Sequence, residues 1–265
     1  MARIVLCCRR LFHYSPLLLS TLLFIVVGNP VRAAGEAQDS GVLLVASAAG
    51  LSFTQQRDQA LIAWLTDPDP EFRQQAALKL GDYQVNQAAG ALQQALQDPV
   101  PKVRAEAAKA LGKLQGDGAV AGLTLALKDQ DVVVRVRAAM ALGEIGDKKG
   151  VTPLVTLLRD PHPDARWAAV CALGQLRDPA ALEPLKAVRE DPDPSVRAAV
   201  NSALGQLSTS ISQDTLFTGL RDTAALVRQT AILSYNGSNT PQVLGAFTRM
   251  LQDPDISVRL AAISA

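Results

Sequence analysis

Apolar residues recur along this chain in two alternating rhythms. Val196, Val200 and Leu204 follow one another at one helical turn, as do Val103, Ala107 and Leu111. A second stripe, four residues apart, pairs Leu92 with Leu96, Leu123 with Leu127, Leu154 with Leu158, and Leu216 with Leu220. The first stripe predicts a helix A of about 14 residues, roughly 21 Å long. The second predicts a shorter helix B. Asp69, Asp131, Asp193 and Asp255 precede helix A, and Pro70, Pro101, Pro163 and Pro194 open it. An aspartate caps free backbone N–H groups there, and proline lacks one in any case. Gly205 then Leu207, with Gly112-Leu114 and Gly143-Ile145 alike, are expected to mark the end of helix A, followed by turns such as Asp147-Lys148 or Asp178-Pro179, and Gly81 and Gly174 keep the same step.

The alternation has a fixed period of 31 residues. One arginine returns at each step: Arg73, Arg104, Arg135, Arg166, Arg197, Arg228 and Arg259. Asp67, Asp98, Asp129, Asp160, Asp191, Asp222 and Asp253 keep the same step. A constant period of this size predicts an all-α, right-handed α-solenoid of stacked helix pairs. Residues 67–265 hold six full units and a seventh that stops inside its helix A. That stop reads as a fragment or truncated product, or as an apolar edge covered by another molecule. Residues 34–66 keep the phase through Gly50, Leu61 and Leu65, but Val42 stands in the arginine's place and Glu36 in the aspartate's. They are expected to form a degenerate N-terminal capping repeat.

The first 33 residues follow a different logic. Arg3, Arg9 and Arg10 precede an apolar run, Leu17 to Val27, then Gly28, Asn29 and Pro30, then Val31-Arg32-Ala33. This is the order of a secretory signal peptide cut after Ala33, and the run is short for a membrane span, which needs about 20 residues. The chain is therefore expected to be exported, to the periplasm or beyond. Its only membrane attachment would be this segment kept uncleaved. The cut would leave one cysteine, Cys171, and one histidine, His162, so no disulfide forms within the mature chain.

Composition narrows the chemistry. Hydrophobic residues make up 48% and aromatics only 4%, so the core is Ala, Leu and Val, suited to close helix packing. Beyond residue 33 there are 22 basic and 25 acidic residues. That balance gives no electrostatic footprint for nucleic acid.

The run Asp191-Pro192-Asp193-Pro194, Val196-Arg197, Ala198-Ala199, Ala203-Leu204-Gly205 and Leu207 resembles the HEAT-like repeats of the phycobilisome-lyase type. The resemblance covers residues 67–265. It implies a superfamily holding bilin lyases, deoxyhypusine hydroxylase and interaction scaffolds, so it does not choose a function. Deoxyhypusine hydroxylase resemblance further implies an iron site of repeated His-Glu pairs, and no His-Glu dipeptide occurs here.

Among candidate groups, the Asp/Arg ladder reads as structural, an ion pair or an arginine-to-backbone bond repeated between adjacent loops. His162 takes the place of a capping aspartate and reads as a loop residue. Cys171 shares its slot with Leu78, Met140 and Leu233 and is expected in the core. Trp64, in the slot of Ala95, Ala126 and Leu157, is expected to be partly buried. Trp167 is the leading anchor for a protein partner, with Thr156, Arg159 and Glu190 as further contacts. The non-core residues of helix B, including Lys128, Arg221 and Arg249, are mixed in sign. No phosphate loop, nucleophile elbow or catalytic triad is present, and no catalytic, cofactor or metal residue is assigned. The resulting expectation is an exported, non-catalytic scaffold for protein partners. Two alternatives remain open, a bilin-lyase-like protein and a mechanical spacer in an envelope complex.

Overall fold

The computed structural model describes residues 52–115, 118–207 and 213–265. The expected signal peptide and most of the capping repeat lie outside these residues. The chain divides between Gln56 and Arg57, and the larger unit, Arg57–Ala265, holds the repeats. Of the smaller unit only its last residues are described. There Ser52 caps the first helix: its hydroxyl accepts from the Gln55 N–H at 3.3 Å, while the Gln55 side chain accepts from the Ser52 N–H at 2.9 Å. This reciprocal pair is a capping box.

All regular structure among the described residues is helical. After α1 (Phe53–Trp64) the A helices are α2 (Pro70–Asp82), α4 (Pro101–Leu114), α6 (Val132–Ile145), α8 (Pro163–Leu176), α10 (Pro194–Leu207), α12 (Ala225–Ser234) and α14 (Ile256–Ser264). The B helices are α3 (Ala89–Ala95), α5 (Ala119–Ala126), α7 (Val151–Leu157), α9 (Leu182–Ala187), α11 (Gln213–Leu220) and α13 (Pro241–Met250). Successive A helices pack on one another, and each B helix packs on an adjacent A helix. Short 3-10 turns at Asn86–Ala88, Lys148–Gly150 and Pro179–Ala181 lead into three of the B helices.

Both predicted stripes are interior. Val103, Ala107 and Leu111 are fully buried, as are Leu92, Leu123 and Leu154. The caps form as the sequence indicates: Asp69, Asp131, Asp193 and Asp255 each accept from the N–H two residues on, at 2.8–2.9 Å. His162 does the same through Nδ1, taking the Asp164 N–H at 3.3 Å.

The A helices end where expected, at Leu114, Ile145 and Leu207. Gly81, Gly112, Gly143 and Gly174 sit in the last turn of their helices and have a second role. They are where neighbouring A helices touch. A Cβ on Gly112 would stand 2.8 Å from the Cα of Ala141, and one on Gly81 would stand 2.9 Å from the Cα of Ala110. The helices stop one or two residues later, α4 and α8 in left-handed turns at Gln115 (φ 50°) and Arg177 (φ 48°) and α6 at Gly146 (φ 75°).

Candidate functional site

The ladder forms along the loops that precede the A helices. In each rung an arginine near the start of one A helix reaches the aspartate of the next unit, 25 residues on. The pairs are Arg73–Asp98, Arg104–Asp129, Arg135–Asp160, Arg166–Asp191, Arg197–Asp222 and Arg228–Asp253, with contacts of 2.6–2.8 Å. Nε donates to one carboxylate oxygen and Nη2 to the other. Nη1 turns back and donates to two carbonyls of its own loop, such as Asp129 and Gln130 for Arg135. The carboxylate also accepts the N–H two residues on, as Asp160 does from His162 at 2.9 Å. Arg259 keeps the bonds to the Asp253 and Pro254 carbonyls and has no carboxylate partner among the described residues.

This geometry explains the ionisation of the ladder. Burial pushes Asp98, Asp129, Asp160 and Asp191 toward the neutral form, yet the arginine fork and the loop N–H together hold them below the usual carboxylate range. At Asp222 and Asp253 the fork itself is the largest influence, in the same direction. Each rung is self-contained, with its hydrogen-bonding groups turned into the loops and little left to offer a ligand.

The remaining candidates do not converge. Trp167 is 37% exposed on α8, in the helix A layer. Thr156 and Arg159 lie at the end of α7 and Glu190 just after α9, all exposed and in the B layer. No contact joins Trp167 to them among the described residues. Trp64 is partly buried and meets Phe72 edge-on, ring centroids 6.3 Å apart. Cys171 departs from expectation. It is only half-buried, because its slot lies at the rim of the A layer, where Leu233 is exposed and Leu78 and Met140 are half-covered. The burial it does have pushes the thiol up to about 11, the opposite of an activated nucleophile. Among the described residues no group of His, Cys, Asp and Glu is placed to hold a metal ion, and no helix is long and apolar enough to cross a membrane.

One feature was not found by reading the sequence. Between α11 and α13 runs a groove of about 590 Å³, with Phe217, Leu220, Ala246 and Met250 among its lining and Arg221 and Arg249 beside them. The signal for it was present: Phe217 is an aromatic where the other B helices carry Gln93, Thr124, Val155 or Lys186. The arginines were noted only as members of a mixed-sign face.

A sequence-family model described as HEAT repeats matches residues 59–131, 120–205 and 185–265. No curated protein matches. Among solved structures, the CpcE–CpcF complex of phycocyanin lyase from Nostoc sp. PCC7120 is similar at 26% identity, over 78% of this chain and 94% of that one, with a TM-score of 0.55. The Escherichia coli protein YibA is similar at 24% identity over 69% and 72%, TM-score 0.55, a likeness of fold. Human deoxyhypusine hydroxylase is 21% identical over 80% and 95%, with a TM-score of 0.39. Helix pairs in constant phase, alanine and glycine at the contacts between A helices, and a family match spanning nearly all the described residues lead to one assignment: this chain belongs to the HEAT-repeat family.

Proposed function

We propose that this protein is an exported, non-catalytic scaffold that binds protein partners along the exposed face of its B helices. One observation carries the reading: the frame repeats while the face does not. The Arg–Asp contacts stay within 2.6–2.8 Å from rung to rung. In the B layer one slot carries Lys128, Arg159, Glu190 and Arg221 in turn, and another carries Thr156, Ala187, Thr218 and Arg249. A constant frame holds side chains at fixed spacing, and differing side chains at that spacing present a surface that only a matching partner complements. Export rests on the order of basic, apolar and small residues in 1–33. The test is crosslinking of the tagged chain in its native envelope, with mass spectrometry of the products and of the mature N-terminus. Specific partners, and an N-terminus at Ala34, are expected. A chain retaining residues 1–33 in the cytoplasm, or crosslinking to nothing, overturns the reading.

A second reading is a lyase-like protein that attaches a chromophore to an acceptor protein. It is favoured by the likeness to the phycocyanin-lyase complex at 26% identity. Incubating the purified chain with a bilin and an acceptor apoprotein decides it, since a covalent coloured product appears only if this reading holds.

A further inference from the structure

We propose that the groove between α11 and α13 seats an acidic peptide segment, an apolar side chain on its floor and flanking carboxylates on Arg221 and Arg249. This names the partner chemistry for the scaffold reading and rests on it.

The preceding groove, between α9 and α11, supplies the contrast. There the charges satisfy one another: Lys186 pairs with Glu183 at 2.8 Å, and Arg189 lies 3.6 Å from Asp214 across the gap. One unit later the same slots are filled differently. Phe217 replaces Lys186, Leu220 replaces Arg189 and Gly245 replaces Asp214. Arg221 stands where Glu190 was, and Arg249 where Thr218 was. Two acids are lost at the slots of Gly245 and Arg221, Asp214 keeps the slot of Glu183 and faces back to Arg189 at 3.6 Å, the floor is apolar, and two cations have been added. Both guanidiniums are exposed, and neither has a carboxylate or side-chain hydrogen-bond partner among the described residues. Every arginine of a complete ladder rung, by contrast, has a carboxylate.

The shape selects the occupant. A Cβ on Gly245 would meet nothing within 4 Å, so the missing aspartate leaves open space along α13. The groove is half-open to solvent, and Pro241 and Gln242 form part of its wall. Small molecules bind where most of their surface is enclosed, which this groove does not offer. An extended peptide buries only one face, and here it would find an apolar floor, a carboxamide at Gln242 and two guanidiniums able to take carboxylates bidentately.

The test uses the full chain and fluorescein-labelled hexapeptides in an anisotropy titration. One peptide carries Leu-Phe between paired aspartates, a second carries Leu-Phe between paired lysines, and a third carries Ser-Gly between paired aspartates. Only the first is expected to bind. Its affinity should fall at least tenfold in R221E/R249E and in G245W, both with unchanged melting temperature, and should fall again as salt is raised to about 0.5 M. If G245W does not fold, the double arginine variant and the salt series still decide. Equal binding of the lysine peptide, or unchanged binding by the variants, overturns the proposal. So does binding of dodecyl phosphate in place of the acidic peptide. Envelope crosslinking separates this inference from the broader reading. Partners captured equally by wild type and R221E/R249E sink the groove and leave the scaffold standing. A chain that captures nothing sinks the scaffold, and the titration still judges the groove.

Discussion

Residues 57–207 and 213–265 share one repeat phase and differ inside. In the first region the buried apolar residues form a single cluster from Leu61 to Leu204, rich in alanine and closed by glycine contacts. In the second they form a separate cluster, Leu216 to Ala262, in which Phe247 and the half-buried Tyr235 meet edge-on at 6.1 Å. The A helix also shortens, from 14 residues in α10 to 10 in α12. On α10, which faces the second region, Asn201 is only 6% exposed, in a slot that elsewhere holds Ala77, Ala108, Ala139, Val170 or Ile232.

α10 packs on α12, and polar contacts join the two regions as well. Arg197 pairs with Asp222 at 2.7 Å, Asn201 Nδ2 donates to the Val227 carbonyl at 3.3 Å, and Asn236 Nδ2 donates to the Gly205 carbonyl at 3.3 Å. Core and ladder are thus separate restraints: the ladder keeps one geometry through both regions, while the apolar residues change in kind. Apolar packing sets how cooperatively units melt, while the rungs hold the phase from unit to unit. The groove with its unpaired arginines lies in the second region, where the surface has diverged along with the core.

The largest test of this comparison is acid. The six rung aspartates have native values lowered below 3.8, so the unfolded chain takes up protons first as pH drops. Their contribution to stability is complete above 3.8 and is lost as pH falls through the depressed native values. Ellipticity at 222 nm should hold to about pH 4 and collapse below it. Loss of helix between pH 5 and 7 would contradict the ladder's role.

Next comes a single rung. Asp160→Ala strands the Arg135 fork and the His162 N–H, at a cost of about 3 kcal/mol. Asp253→Ala should instead loosen mainly residues 213–265, and hydrogen exchange read peptide by peptide separates the two outcomes.

Glycine gives a smaller contrast. Gly112→Ala forces a Cβ against the Ala141 backbone and should cost about 1–3 kcal/mol. Gly245→Ala enters open space on a helix and should gain about 0.5–1 kcal/mol. Thermal melts of the two should shift in opposite directions.

Last, Asn201→Val restores an apolar residue in its slot. The Val227 carbonyl loses the Asn201 donor but keeps the Thr230 hydroxyl at 3.1 Å, so the lost bond and the added apolar burial should nearly offset, leaving a change within about 1 kcal/mol. If Asn201 causes the difference between the regions, their hydrogen-exchange rates should converge in this variant. Divergent rates that persist would place the cause in the shorter α12.

Much of this was legible in the chain. A 31-residue phase with Leu at i and i+4 in one helix and a Val/Ala/Leu stripe in the other fixes which faces are buried, because each helix has only one apolar side to hide. The caps were legible too, since Asp69, Asp131 and Asp193 act on N–H groups two residues away. The contact made at Gly112 and the exposure of Cys171 were not legible, for a shared reason. A glycine near a helix end looks alike whether or not it admits a neighbour, and the slot of Cys171 looks apolar although it lies at the layer's rim. Which side of a helix its neighbour covers depends on how the pairs stack, and that is not written in any one unit.

The sequence alone determined the all-α repeat, its period, its buried stripes and its regularly spaced charges, since these follow from local helical geometry and from period. Only the tertiary structure decided that each rung arginine serves the aspartate 25 residues on, that the glycines are contact points, that Asn201 is buried and bonded to the Val227 carbonyl, and that Phe217, Arg221 and Arg249 share a groove. Those are relations between units, and they are settled by the distances at which helices pack.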